Sequence, residues 1–342
     1  MKAEQELFEH FRLVVDKGQS PLRIDKFLAS KMESTSRNRI QLAAEANYLL
    51  VNEQPVKSNY KVRPLDHIRL MLPFEKREFK LIPQPIPLNV VFEDKDLMVL
   101  NKPAGLVVHP GHGNYTHTLL NGLAWHLGLR EALETEDIRM GVLVHRLDKD
   151  TTGLLAAAKS EEAQFRLAKQ FFDKEVDRLY TALVWGDVHR DEGTVSTTLA
   201  RHPADRLRYY VPPSETEGRH AVTHYRVLER LGYVTLMECR LETGRTHQIR
   251  VHMEHLGHPI FGDTTYGGDR IRKGTSFSKY KQFVDNCFQI LPRQALHAGA
   301  LGFLHPVTHK PLQFHAPLPE DFKAVLDKWR TYAVSAGSIG NL

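Results

Sequence analysis

Within the 342 residues of this chain, the run His145-Arg146-Leu147-Asp148-Lys149-Asp150-Thr151-Thr152-Gly153-Leu154-Leu155 carries the clearest chemical signal. It sets Asp148 two positions after Arg146, in a turn that leads into the apolar stretch Leu154-Leu155-Ala156-Ala157-Ala158. A carboxylate there sits at a strand edge, held by rigid backbone while its oxygens face a cleft. Such a group can act as a nucleophile or stabilise developing positive charge. Most turn aspartates make only local hydrogen bonds, so Asp148 needs support from elsewhere in the chain. The crowding of His247, His252, His255 and His258 suggests metal hydrolysis instead. The spacing lacks H-E-x-x-H and no acidic cluster accompanies it, so no metal is expected. Cys239 and Cys287 are far apart without C-x-x-C spacing, which argues against a disulfide framework or a zinc knuckle.

The support lies in three further motifs. Arg178-Leu179-Tyr180-Thr181-Ala182-Leu183-Val184 and Leu241-Glu242-Thr243-Gly244-Arg245-Thr246-His247-Gln248-Ile249-Arg250-Val251-His252-Met253 follow the Asp148 segment, and Asn101-Lys102-Pro103-Ala104-Gly105-Leu106-Val107-Val108-His109-Pro110-Gly111 precedes it. In order and rough spacing, the set resembles the motifs of the RluA-type pseudouridine synthases. The Val107-Val108-His109-Pro110-Gly111 form is similar to the subgroup acting on large-subunit ribosomal RNA, the ribosomal D-type. Together the motifs lie between Leu88 and Trp329, the larger part of the chain.

The resemblance implies an isomerase that breaks the bond from ribose to uracil N1, turns the base and joins the ribose to C5. This needs a carboxylate, a flat apolar clamp for the ring and donors for the uracil edge, but no metal and no cofactor. Asp148 takes the first role, adding to uracil C6 or attacking the sugar C1′; the sequence leaves both routes open. The resemblance sets Arg250 against this carboxylate as its salt-bridge partner, since an ionised carboxylate in a closed site must be paired. Ile249 then points the other way on a strand, as a base-packing or core residue. Tyr180 offers a ring to stack on uracil and a hydroxyl for proton transfer. Arg146 is placed to enter the stack vacated by a flipped base. Arg245, in a Thr-Gly-Arg turn, meets phosphate or shapes the pocket.

The elements that hold these residues divide in two. Ile24, Phe27 and Leu28 share one helical face, with Arg23 and Lys26 beside it. Ser36 is a good N-cap for a second helix with Arg37 and Arg39 in its first turns and Ile40, Ala43 and Ala44 turned inward. Short strands, Tyr48 to Val51 and Val62 to Leu72, flank the turn at Asn52-Glu53-Gln54-Pro55. This pattern, over residues 20–75, is similar to the S4 RNA-binding domain. That family usually has Gly where Glu53 stands, so the turn is expected to differ or to use Asn52 at positive φ. The proline-rich Ile82-Pro83-Gln84-Pro85-Ile86-Pro87 reads as an extended linker. Residues 85–332 alternate short strands with helices such as Ser160 to Phe172, an α+β domain with a mixed, largely antiparallel sheet. Asp263 to Arg293, basic and aromatic, reads as an insertion on the RNA side, and the tail after Tyr332 as disordered.

Charge agrees with an RNA partner. The net charge is only +5, but Pro21–Pro73 carries nine Lys or Arg against five acids, so nearly all the surplus sits in the small N-terminal module. Large-subunit ribosomal RNA or an assembling ribosomal particle is the expected partner, with no membrane involvement. No leader pattern or run of about 18 apolar residues is visible, and the expected compartment is the cytoplasm. A non-catalytic S4-type RNA-binding or ribosome-assembly protein would carry the same basic module. The intact Asp148, Tyr180 and Arg250 set favours catalysis over that reading and over a metal-dependent hydrolase.

Overall fold

The computed structural model describes residues 7–32, 37–73, 80–111, 113–131, 143–205, 207–214 and 216–339. It divides into two compact units, Met1–Phe79 and Lys80–Leu342. In the first, β1 (Phe8–Val14), α1 (Ile24–Lys31), α2 (Arg37–Glu45), β2 (Leu49–Val51), β3 (Gln54–Pro55) and β4 (His67–Leu72) form a four-stranded antiparallel sheet, order β1-β4-β2-β3, with two helices. Ile24, Phe27, Leu28, Ile40, Ala43 and Ala44 are buried in its core, as their spacing predicts. The proposed cap Ser36 lies outside the described residues. β2 and β3 are joined by Asn52 and Glu53, at φ 50° and 64°. Successive left-handed residues close a two-residue hairpin whose twist matches its strands. The positive φ thus extends to Glu53, whose carboxylate pairs with Arg69 at 2.6 Å.

The second unit carries β5 (Val90–Glu93), β6 (Leu97–Lys102), α3 (Leu119–His126), β7 (Thr152–Ala158), α4 (Glu161–Phe172), β8 (Asp177–Trp185), β9 (Glu192–Arg201), β10 (Tyr209–Tyr210), β11 (Arg219–Arg230), β12 (Val234–Leu241), α5 (Gln248–His255), α6 (Ser278–Ile290), β13 (Leu296–Leu304), β14 (Pro311–His315) and α7 (Glu320–Ile339). Ten strands form one sheet in the order β10-β9-β11-β12-β8-β13-β7-β6-β5, with β14 on β13. Every pairing is antiparallel except β13 with β7. β7 is buried along its whole length and therefore reads Leu-Leu-Ala-Ala-Ala rather than alternating. Its Gly153, at φ 116°, lies so close to β13 that a Cβ would sit 2.2 Å from the Ala298 carbonyl oxygen. Only glycine permits that parallel contact beside the Asp148 turn.

Several expectations need correction. The proline-rich segment, expected as an extended connection, is also fastened to the second unit: the Gln84 amide donates to the Asn121 carbonyl at 3.0 Å, and the Asn121 side chain donates back to Ile82. The strand expected from Val62 begins only at His67, because Tyr60, Arg63 and Asn52 all donate to the buried Asp66 carboxylate and hold the intervening chain in a turn. The tail continues as helix to Ile339, anchored by Tyr332 and Ala333, which pack on the core. In the Asp263–Arg293 segment, Tyr266 and Tyr280 are buried. Tyr280 and Phe283 join Trp329 and Tyr332 in an aromatic cluster between α6 and α7. Core packing, rather than RNA, explains these rings.

Candidate active site

The turn bearing Asp148 is fastened from three sides. Behind it, buried Lys102 donates from Nζ to the carbonyls of Pro103, Leu106 and Lys149 at 2.7, 2.9 and 2.8 Å, which ties the Lys-Pro segment to the turn. Burial pushes this lysine down to about 7, opposed by the charges of Asp150 and Asp148. The three carbonyls use all three N–H bonds of an ammonium and so favour the charged form. On the second side, Arg293 donates to the Asp150 carbonyl while forking onto Asp321 at 2.8 Å twice. On the third, His145 accepts from the Ala156 amide at 2.8 Å and stacks on Phe171. Burial, aided by the Arg178 charge, drives its pKa down to about 3, so it serves as a neutral acceptor.

Asp148 then meets a cation held from the other direction. Arg250 Nη1 donates to Asp148 Oδ2 at 3.1 Å, while its Nε and Nη2 donate to Asp263 Oδ2 and Oδ1 at 2.7 and 2.9 Å. Burial works against the Arg250 cation, but the Asp263 hydrogen bonds and the charges of Asp263 and Asp148 outweigh it and raise its pKa. The bidentate fork fixes the guanidinium plane and so aims Nη1 at the pocket carboxylate. Tyr266 lies beneath, its ring 5.1 Å from the guanidinium and its hydroxyl 2.9 Å from His247 Nδ1. His247 Nε2 stands 3.9 Å from Asp148 Oδ2. Burial lowers the His247 pKa against the opposing Asp148 charge.

Arg250 and Ile249 are on α5, not on the strand expected for them. The sequence Ile249, Val251, Met253 alternates like a strand, but all six residues from Gln248 to Met253 are buried. With no solvent face, the helical period is invisible. His247, in the left-handed conformation at φ 57°, starts the helix. Gln248 accepts from Thr243 Oγ1 and the Arg245 amide at 2.7 and 3.0 Å, holding the preceding loop as a compact turn.

Asp148, Arg146, Tyr180, Arg245, Ile249 and Arg250 all line one cavity of about 460 Å³. That is ample for a nucleoside-sized ligand. Tyr180 projects from β8, buried, and burial pushes its phenol up to about 12, so it is protonated at neutral pH. Arg146 is exposed at the mouth, and Arg245 donates from Nε to the His220 carbonyl at 3.0 Å. Arg23, Lys26, Arg37 and Arg39 belong to the other unit. There Arg23 and Arg37 pair with the buried Asp25 at 3.0 and 2.9 Å, so part of the charge surplus is internal to the fold. Lys26 and Arg39 are exposed.

Sequence reasoning missed Asp263 and Tyr266, taking both as part of a basic insertion. The available signal was an acid, Asp263, at the head of a stretch in which Lys and Arg outnumber Asp and Glu. The histidines do not gather: His247 bonds Tyr266, His252 bonds Thr223 and Thr197, and His258 bonds the Trp185 carbonyl. Among the described residues, the one group within metal-binding reach is Asp94, Asp96 and His305. His305 Nδ1 accepts from the amides of Val307 and Thr308, so Nε2 carries the hydrogen toward Asp94 and has no lone pair for a metal.

Comparison with known proteins returns one consistent picture. A family model described as RNA pseudouridylate synthase matches residues 96–255. A Chlorobaculum parvum protein described as an uncharacterized RNA pseudouridine synthase is 47% identical over 95% of this chain and 99% of its own length. The ribosomal large subunit pseudouridine synthase D of Nitrosomonas europaea is 40% identical over 98% of this chain and 92% of its own. Among solved structures, human RNA pseudouridylate synthase domain containing 4 superposes with a TM-score of 0.52 at 26% identity, covering 71% of this chain and 93% of that one.

Proposed function

Because this chain belongs to the RNA pseudouridylate synthase family, and is therefore an isomerase converting uridine in RNA to pseudouridine, we propose that its substrate is large-subunit ribosomal RNA and its reacting group Asp148. The observation that carries the site is the chain Asp263–Arg250–Asp148, in which a doubly held guanidinium orients a carboxylate at the floor of the cavity. Asp148 reacts with the flipped uridine at C6 or at the sugar C1′. Tyr180 supports the ring with its face and carries a proton on its hydroxyl. Ile249 packs on the base, Arg146 fills the vacated stack, and Arg245 meets the backbone.

The substrate reading draws on relatives near 40% identity over most of their lengths that are described as acting on the ribosomal large subunit. We read the N-terminal unit as an S4-type RNA anchor, with Lys26 and Arg39 among its phosphate contacts and Arg23 and Arg37 shared between Asp25 and RNA. The setting is cytoplasmic, on free RNA or an assembling ribosomal particle. Among the described residues, no helix is long and apolar enough to cross a membrane. Mapping pseudouridines in large-subunit RNA from cells with and without this chain tests the substrate. Sites that vanish on deletion and return with the parent chain, but not with Asp148→Asn, are expected. An unchanged map of that RNA would rule it out.

A further inference from the structure

α4 has a buried face that explains its position in the fold and an outer face that does not. Ala163, Leu167 and Gln170 turn inward, and Gln170 is zipped to β13 through the Leu304 amide and carbonyl, both at 2.8 Å. On the outside, Phe165 is 73% and Phe172 86% exposed. They stand seven residues apart with Lys169 between them, so all three share one stripe about 10 Å long. Leaving two phenyl rings in water forgoes the stabilisation that burying them would bring. Phe277, as exposed as Phe165, lies away from the cavity, whereas Phe172 lines the Asp148 cavity together with Arg146. Phe171 beside it turns inward onto His145, giving the exposed ring a rigid base.

We propose that the outer stripe of α4, Phe165 and Phe172, is a stacking platform for unpaired nucleotides of the RNA next to the target uridine. The proposal rests on the RNA-synthase reading and adds a binding surface to it. Flipping a uridine into the cavity removes a stacking partner from its neighbours. An aromatic face at the cavity rim replaces that partner without selecting a particular base, since every base has a π-face. The stripe carries no surplus charge: Arg166 pairs with Glu162 at 2.6 Å, and Lys169 pairs with Asp173. Recognition is therefore by ring stacking rather than phosphate contact, which gives it a distinct signature. Losing a ring weakens binding without changing the salt dependence.

The test compares the parent chain with Phe165→Ala, Phe172→Ala and Phe172→Trp on a large-subunit RNA fragment that the parent modifies, with 2-aminopurine placed beside the target uridine. Both rings are on the surface, so the alanine variants keep the fold, which circular dichroism checks. Each alanine is expected to lower affinity by roughly five- to a hundredfold. The slope of log affinity against log salt stays unchanged, and the quenching of 2-aminopurine on binding is lost with Phe172→Ala and retained with Phe172→Trp. Unchanged affinity and quenching in a parent that does modify the fragment would overturn the platform while leaving the synthase reading intact. If the alanines instead lose only a protein partner on ribosomal particles, the stripe is a protein-docking face and the proposal falls. A parent that modifies no RNA overturns the synthase reading first, and the platform with it.

Discussion

At the level of single residues, the cavity depends on a three-member charge chain, and each member has a separable effect. Arg250→Met leaves the fully buried Asp263 without its fork and Asp148 without its cation. Activity is expected to vanish and stability to fall by about 3 to 5 kcal/mol, as when one partner of a buried pair is removed. Denaturant melts alongside single-turnover assays check both; an active and equally stable variant would remove the pairing from the account. Asp263→Asn keeps the volume but loosens the guanidinium, and a misplacement near 1 Å costs about a hundredfold in rate. Here single-turnover rate should fall while RNA affinity holds. Tyr180→Phe keeps the ring and deletes the proton. Its rate should drop by about 10²- to 10⁴-fold with binding preserved, and a parallel loss of affinity would instead assign the hydroxyl to recognition.

At the level of elements, what the sequence revealed followed how much solvent each element meets. The half-exposed α1 and α2 show their inward faces in the spacing of Ile24, Phe27 and Leu28 or of Ile40, Ala43 and Ala44, and Ser160 caps the expected α4 by accepting from the Ala163 amide at 3.2 Å. Buried α5 hid its period and read as a strand. The pairing of Asp148 with Arg250 could be anticipated, yet Asp263 could not, because it approaches from thirteen residues beyond Arg250 through a turn that no local pattern announces. Exposure also misled in the N-terminal unit, where Arg23 and Arg37 look like RNA contacts but also hold Asp25. Burial raises the Asp25 pKa, but hydrogen bonds from Arg23, Gln41 and Arg37 outweigh it and set the group well below the ordinary carboxylate range. A folded pKa below the unfolded one gives stability that is present above about pH 4 and lost as pH falls toward the folded value. Hydrogen exchange in α1 should accelerate on acidification through this window, and Asp25→Asn should flatten that dependence. An identical acid response in the variant would mean that Asp25 is not the group responsible.

At the level of the whole molecule, the two units are expected to divide the work between anchoring and chemistry. Each has its own core, so removing residues 1–79 should leave the cavity intact. The truncated chain should bind RNA more weakly, and each lost phosphate contact should reduce the salt slope by about 0.7 to 0.9. Turnover at saturating RNA should survive while turnover at low RNA falls. An unchanged slope would show that the exposed cations Lys26, Arg39, Lys57, Lys61 and Arg63 are not the anchor. The most direct measurement of the central claim uses the hydrogen at uracil C5, which must leave when the ribose is rejoined there. RNA carrying tritium at that position is given to the purified parent and to Asp148→Asn, and release is followed in a single turnover. Release by the parent, with the variant slower by about a hundredfold or more while binding equally well, is the expected result. Comparable release by Asp148→Asn would contradict the assignment of Asp148 as the reacting carboxylate.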